Sequence, residues 1–135
     1  MRVIDRDAPS SDTPASLSRI ITADRQIRVD GFMGYLRGPH GGSVRETIAA
    51  LRRVRSDEAA MTLERSIGIF GARGPSRDDA ERVRQIEALG DAAPRFWAAL
   101  DGVYQHYAED LGHTLQRWIR EEAARVCRDG GAIDR

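Results

Sequence analysis

The C-terminal third of the chain carries an apolar series, Phe96, Leu100, Val103, Tyr107, Leu111, Leu115, Trp118 and Val126, which recurs near the spacing of one helix face. A stripe this long has to be covered by other elements, and that requirement constrains the fold more than any other feature. Asp91 stands before it as an N-cap, and Pro94 falls in the first turn, where a missing N–H costs little. Asp129-Gly130-Gly131 is a stop signal. The expectation is a mainly α fold, a compact bundle of about four helices around this long C-terminal helix.

Upstream, punctuation divides the chain. Residues 1–16, with Pro9, Pro14 and little apolar content, read as a flexible N-terminal tail, and residues 129–135 as a C-terminal one. A single helical domain spans 17–128 between them. Between Leu17 and Leu36, Ile27 and Val29 alternate with Arg28 and Asp30, which suggests a short β-hairpin turning at Asp24–Arg25. A helix broken at Gly31 fits the same residues. Gly38-Pro39-His40-Gly41-Gly42 is a loop, after which Ser43 and Glu46 form a capping box for a helix to about Arg55, with Val44, Ile48, Leu51 and Val54 inward. A further helix covers about 57–70, with Met61, Leu63, Ile67 and Phe70 as core candidates. After Gly71-Ala72-Arg73-Gly74-Pro75, Ser76 and Asp79 cap a helix whose inward residues are Val83, Ile86 and Leu89, ended by Gly90. An Arg-Gly-Pro step precedes both capped helices, too short a match to be a repeat.

The 135 residues suffice for one core without disulfides or a structural metal. No apolar run reaches the length of a membrane helix, the first residues do not resemble a signal peptide, and Cys127 is the sole cysteine. The expected location is therefore cytoplasmic, with no membrane partner. All 21 basic residues are arginine, and 21 acids balance them. Guanidinium forks suit carboxylates, phosphates and base edges, but zero net charge gives no general pull toward nucleic acid.

One local pattern, running from Tyr104 through Tyr107-Ala108-Glu109-Asp110-Leu111-Gly112 to Arg120, resembles over residues 104–123 the helix-turn-helix segment of DNA-binding regulators. Ala108 matches the small residue where the two helices touch, Leu111 the apolar residue three later, and Gly112 the turn glycine; Tyr107 and Trp118 match core positions. His113 and Glu121 depart from the pattern, standing where that family places apolar residues. The resemblance implies that Gln116, Arg117 and Arg120 meet DNA bases, Arg with guanine and Gln with adenine. The competing expectation is one unbroken helix over about 92–127, because the apolar stripe passes Gly112 in phase. Gly102 and Gly112 would then each cost about 1 kcal/mol relative to Ala.

Between Arg37 and Arg55 five arginines face a single acid, Glu46, so Arg45, Arg52, Arg53 and Arg55 are the candidate phosphate contacts. The excess of aromatic residues in the last segment supports a different surface. Trp97, Tyr104, Tyr107 and Trp118 are candidates for a protein-partner or homodimer face. His106, Asp110 and His113 share a helix face, but a di-metal bundle needs a second acid-x-x-His, which the chain lacks. Gly38–Ser43 is neither a Walker loop nor a dinucleotide fingerprint, and no nucleophile triad or paired acids stand out. No catalytic residue, metal site or cofactor is expected. The sequence points to a binding protein: a small DNA-associated regulator, or else a protein-binding adaptor or inhibitor of the phage or mobile-element type, with a helical metal-binding protein as the third possibility.

Overall fold

In the computed structural model the chain is described over residues 9–134, with side chains for 15–106 and 111–127. Its elements are α1 (Pro9–Arg37), a 3-10 turn (Pro39–Ser43), α2 (Val44–Arg53), α3 (Asp57–Gly68), α4 (Asp79–Leu89) and α5 (Ala92–Asp134). No strand occurs among the described residues, so the fold is mainly α as expected. The hairpin is not formed, and the helices outnumber the expected four.

The hairpin segment is helical because its apolar residues serve helix-spaced positions. Ile20, Ala23, Ile27, Phe32, Tyr35 and Leu36 are buried, whereas Val29, needed for the strand alternation, is exposed. The break at Gly31 is real: its φ of 74° and ψ of 177° interrupt the helix. Asp101 of α5 accepts a hydrogen bond from the Phe32 N–H at 2.8 Å and so caps the second half of α1 from another helix. A Cβ at position 31 would come within 2.7 Å of the same carboxylate, so only glycine meets both the φ and the space. Residues 9–16, expected to be tail, belong to α1, and Ser16 is buried against α2; residues 1–8 lie outside the described ones.

Helix α2 buries Val44, Ile48 and Leu51, with Val54 just beyond its end, as its stripe requires. Its capping differs from expectation, for the Ser43 hydroxyl donates to the His40 carbonyl instead of capping α2. The cap of α4 is Asp78, not Ser76: Asp78 accepts from the Glu81 N–H at 2.8 Å. Gly90 ends α4 with a φ of 66°, as its place in the sequence implies. In α3, Leu63 is buried and Ile67 half-buried, but Met61 is exposed.

Helix α5 runs 43 residues without a non-helical position, past Asp129-Gly130-Gly131, so the stop and the tail expected there are not formed over residues 129–134, and it packs on α1 and α3. Its inward face is Ala93, Trp97, Leu100, Tyr104 and Leu111, continued by the half-buried Leu115 and Trp118. The sequence stripe is therefore displaced by one residue at two places, with Phe96 and Val103 outside and Trp97 and Tyr104 inside. Polar partners decide this register. The Trp97 indole N–H donates to the Ser66 carbonyl at 2.9 Å, and the Tyr104 hydroxyl donates to Asp24 at 2.7 Å. No helix of the described residues is long and apolar enough to cross a membrane.

Candidate functional site

The structure separates the residues singled out in the sequence and then regroups some of them. Arg45, Arg52, Arg53 and Arg55 divide between two clefts, Arg45 and Arg52 lining one with Glu64 and Ile67 of α3, and Arg53 and Arg55 lining another. Arg45 reaches the 71–75 loop, donating to the carbonyls of Pro75 at 3.2 Å and Arg73 at 3.1 Å. Arg52 pairs with Glu64 of α3 at 2.5 Å. Successive helical residues diverge by about 100°, so Arg53 points elsewhere, toward Ser16 and the distal half of α5.

Among the proposed aromatic surface residues, Trp97 and Tyr104 are fully enclosed and offer no surface, a correction forced by the polar partners just described. The side chain of Tyr107 lies outside the described residues, as does that of Asp110 in the His106-Asp110-His113 trio. Trp118 is half-buried and does reach a cleft. The turn needed for helix-turn-helix geometry is not formed, because α5 is helical through Gly112, which does not adopt a positive φ. Gln116, Arg117 and Arg120 are nevertheless all exposed on the distal half of α5.

The cleft at Trp118 is the place where two separately expected groups converge. Arg53 and Arg55, expected as phosphate contacts, line it with Trp118, expected as partner surface; Glu121, Glu122 and Arg125 complete the wall. Its volume is about 290 Å³. Arg125 is paired with Glu122, which leaves Arg53, Arg55 and Glu121 to set its charge.

Arg55 occupies its position at a conformational cost. It has a φ of 69°, the sole positive-φ non-glycine among the described residues. It follows the end of α2 where glycine is usual, with its N–H bonded to the Arg52 carbonyl and the Ser56 N–H bonded to the Leu51 carbonyl. A left-handed non-glycine residue costs on the order of 1 kcal/mol or more. Beside the cleft, Ile119 and Val126 are about half exposed, and Ala123 and Cys127 are exposed as well.

The family model for DMP19-like protein matches residues 15–122. The chain belongs to the DMP19-like family. The match takes in all of α2, α3 and α4, most of α1, and α5 as far as the cleft residue Glu122. No curated protein and no solved structure matches this DMP19-like chain.

Sequence reasoning missed Arg82, which organises the other end of this DMP19-like fold. It is completely buried, yet its guanidinium reaches the carbonyls of Leu36 (2.6 Å), Gly38 (2.6 Å), Ser76 (2.9 Å) and Arg77 (3.3 Å) and the carboxylate of Asp79 (2.8 Å). The available signal was its place four residues before Ile86 and seven before Leu89, in line with the inward face of α4.

Proposed function

We propose that this DMP19-like chain is a non-enzymatic protein-binding adaptor or inhibitor, docking its partner on the distal half of α5 and the Arg53–Arg55 end of α2. One observation carries the proposal: Arg53, a strained Arg55 and a half-buried Trp118 converge in one open cleft beside the uncovered apolar residues Ile119 and Val126. Arginine and tryptophan are enriched among residues that anchor interfaces, and a strained residue facing a cleft favours a role for its side chain. The arginines elsewhere argue in the same direction. Arg28, Arg37, Arg52, Arg77, Arg82, Arg84 and Arg125 all stand in ion pairs with acids of the same chain, which disperses the field a nucleic-acid surface needs.

The test is affinity capture from the source cells with wild type, Arg55→Glu and Ile119→Glu, each checked for an unchanged circular dichroism spectrum. The proposal expects a stoichiometric protein partner held by wild type and released by both variants. Capture indifferent to both substitutions would overturn it.

A second reading, a DNA-associated regulator, is favoured by a single observation, the exposure of Gln116, Arg117 and Arg120 on one helix. Fluorescence anisotropy with mixed-sequence duplex DNA at several salt concentrations separates the two. Binding that falls steeply with salt reports displaced counterions and favours DNA, with Arg117→Ala then expected to relax sequence preference. No binding at low salt returns the weight to a protein partner.

A further inference from the structure

A second concave region lies away from the α5 cleft, where α1 faces the 3-10 turn. It consists of two adjoining cavities that share Thr22 and His40. The outer one, about 410 Å³, is open and presents Ile21, Val29 and Arg25 along α1. The inner one, about 140 Å³, is lined by hydroxyl side chains and Arg19.

The donors at these walls divide into spent and free. Ser43 gives its hydroxyl proton to the His40 carbonyl at 3.1 Å, and Thr47 gives its own to the Ser43 carbonyl at 3.2 Å. Arg25, Thr22 and the His40 ring have no hydrogen-bond or ion-pair partner among the described residues. Arg25 therefore has its full set of guanidinium donors to offer at the outer cavity. Two acids stand nearby, and the Oε1 of Glu46 is buried without a hydrogen-bond partner among the described residues. Asp30, on the outer wall, accepts from Gln26 at 2.7 Å. Glu46, which feels the charge of Arg19, is bonded to Arg77 at 2.8 Å. Burial opposes its ionisation, but hydrogen bonds from its own backbone N–H and from Arg77 outweigh this and hold its carboxyl below the usual range.

We infer that this double cavity binds a small phosphomonoester, its phosphate between Arg19, Thr22 and His40 and its organic body against Ile21, Arg25 and Val29. Hydroxyl groups and Arg19 line the smaller cavity, whereas Ile21 and Val29 are found only in the wider one, a division that suits a ligand with a charged head and an apolar body. Guanidinium groups grip phosphate oxygens through two parallel N–H bonds, which a hydroxyl at the same recess can supplement.

The experiment is a titration of the full chain with phenyl phosphate, followed by amide chemical shifts and calorimetry, with benzoate and inorganic phosphate as parallel probes. Saturable shifts are expected at residues 18–26 and 38–43, with phenyl phosphate binding more tightly than either other probe. Arg19→Gln and Arg25→Gln, both at exposed positions, should each weaken it by about tenfold while leaving the melting temperature unchanged. Arg117→Gln, on the far helix, should leave it unaltered. Absence of shifts at these amides, equal binding of benzoate, or full affinity in both cavity variants would overturn the inference. These outcomes are independent of the partner-capture result, because the two regions share no residue.

Discussion

At the scale of single residues, Arg82 shows how a charge can be part of a core. Burying an ion is costly unless hydrogen bonds satisfy it, and this guanidinium finds four carbonyls and one carboxylate within reach. These carbonyls belong to the end of α1, the start of the 3-10 turn and the approach to α4, so one side chain ties together three chain segments that lack strands or disulfides to join them. Arg82→Met should destabilise the fold by about 3–5 kcal/mol, because the acceptors remain buried after the donor is gone. Arg82→Lys should recover little, since an ammonium cannot reproduce the planar fork. Urea denaturation of the two variants checks both expectations; a lysine variant as stable as wild type would show that only the charge matters. Arg55 is the complementary case, in which the backbone is strained and the side chain remains at the mouth of a cleft.

At the scale of the element, α5 decides between the two expectations raised by the sequence. A helix-turn-helix needs Gly112 for a positive φ, whereas a continuous helix merely tolerates it. The apolar positions before and after Gly112 stay in phase, and packing of Trp97, Leu100, Tyr104, Leu111 and Trp118 on the other helices offsets the glycine cost. A Cβ at Gly102 or Gly112 would meet no neighbouring atom within 4 Å. Gly112→Ala should therefore stabilise the protein by up to about 1 kcal/mol, and Gly102→Ala similarly. Thermal melts test this directly: a destabilised Gly112→Ala would restore the turn. The start of α5 and its apolar stripe were legible because 3.6-residue periodicity is a local property, but its end was not, since the helix continues past Gly130-Gly131 to Asp134. Its exact face was not, since residues 96 and 97, like 103 and 104, both lie close enough to the apolar arc to serve. The choice fell to Trp97 and Tyr104 because Ser66 and Asp24, remote in sequence, supply the acceptors their polar atoms need.

At the scale of the whole molecule, the joint between α1 and α5 gives the fold a pH dependence on the alkaline side. Burial first, then the hydrogen bond to Asp24, raises the Tyr104 pKa well above the ordinary 10.0. Burial also raises that of Tyr35, over the lowering effect of its hydrogen bond with Thr47. A raised value means that the folded chain keeps these protons where the unfolded chain has lost them. Their contribution is thus complete below about pH 10 and diminishes as the pH rises further. Tyr104→Phe should lower stability at neutral pH by about 1 kcal/mol and flatten the alkaline decline. Equilibrium unfolding across alkaline pH measures both, and an unchanged slope would remove Tyr104 from the account. By itself the sequence made the helical class, the stripe of α2, Ile86 and Leu89 of α4 and the Gly90 stop legible, because each depends on residues within a turn or two of one another. It also left a helix broken at Gly31 as one of two possibilities, and only packing settled the choice. Tertiary structure alone decided the register of α5, the Arg82 hub, the pairing that scatters the arginines, and the convergence of Arg53, Arg55 and Trp118. Each of these joins residues tens of positions apart, and no local pattern can specify which carbonyl, carboxylate or ring will stand opposite a given side chain once the helices close.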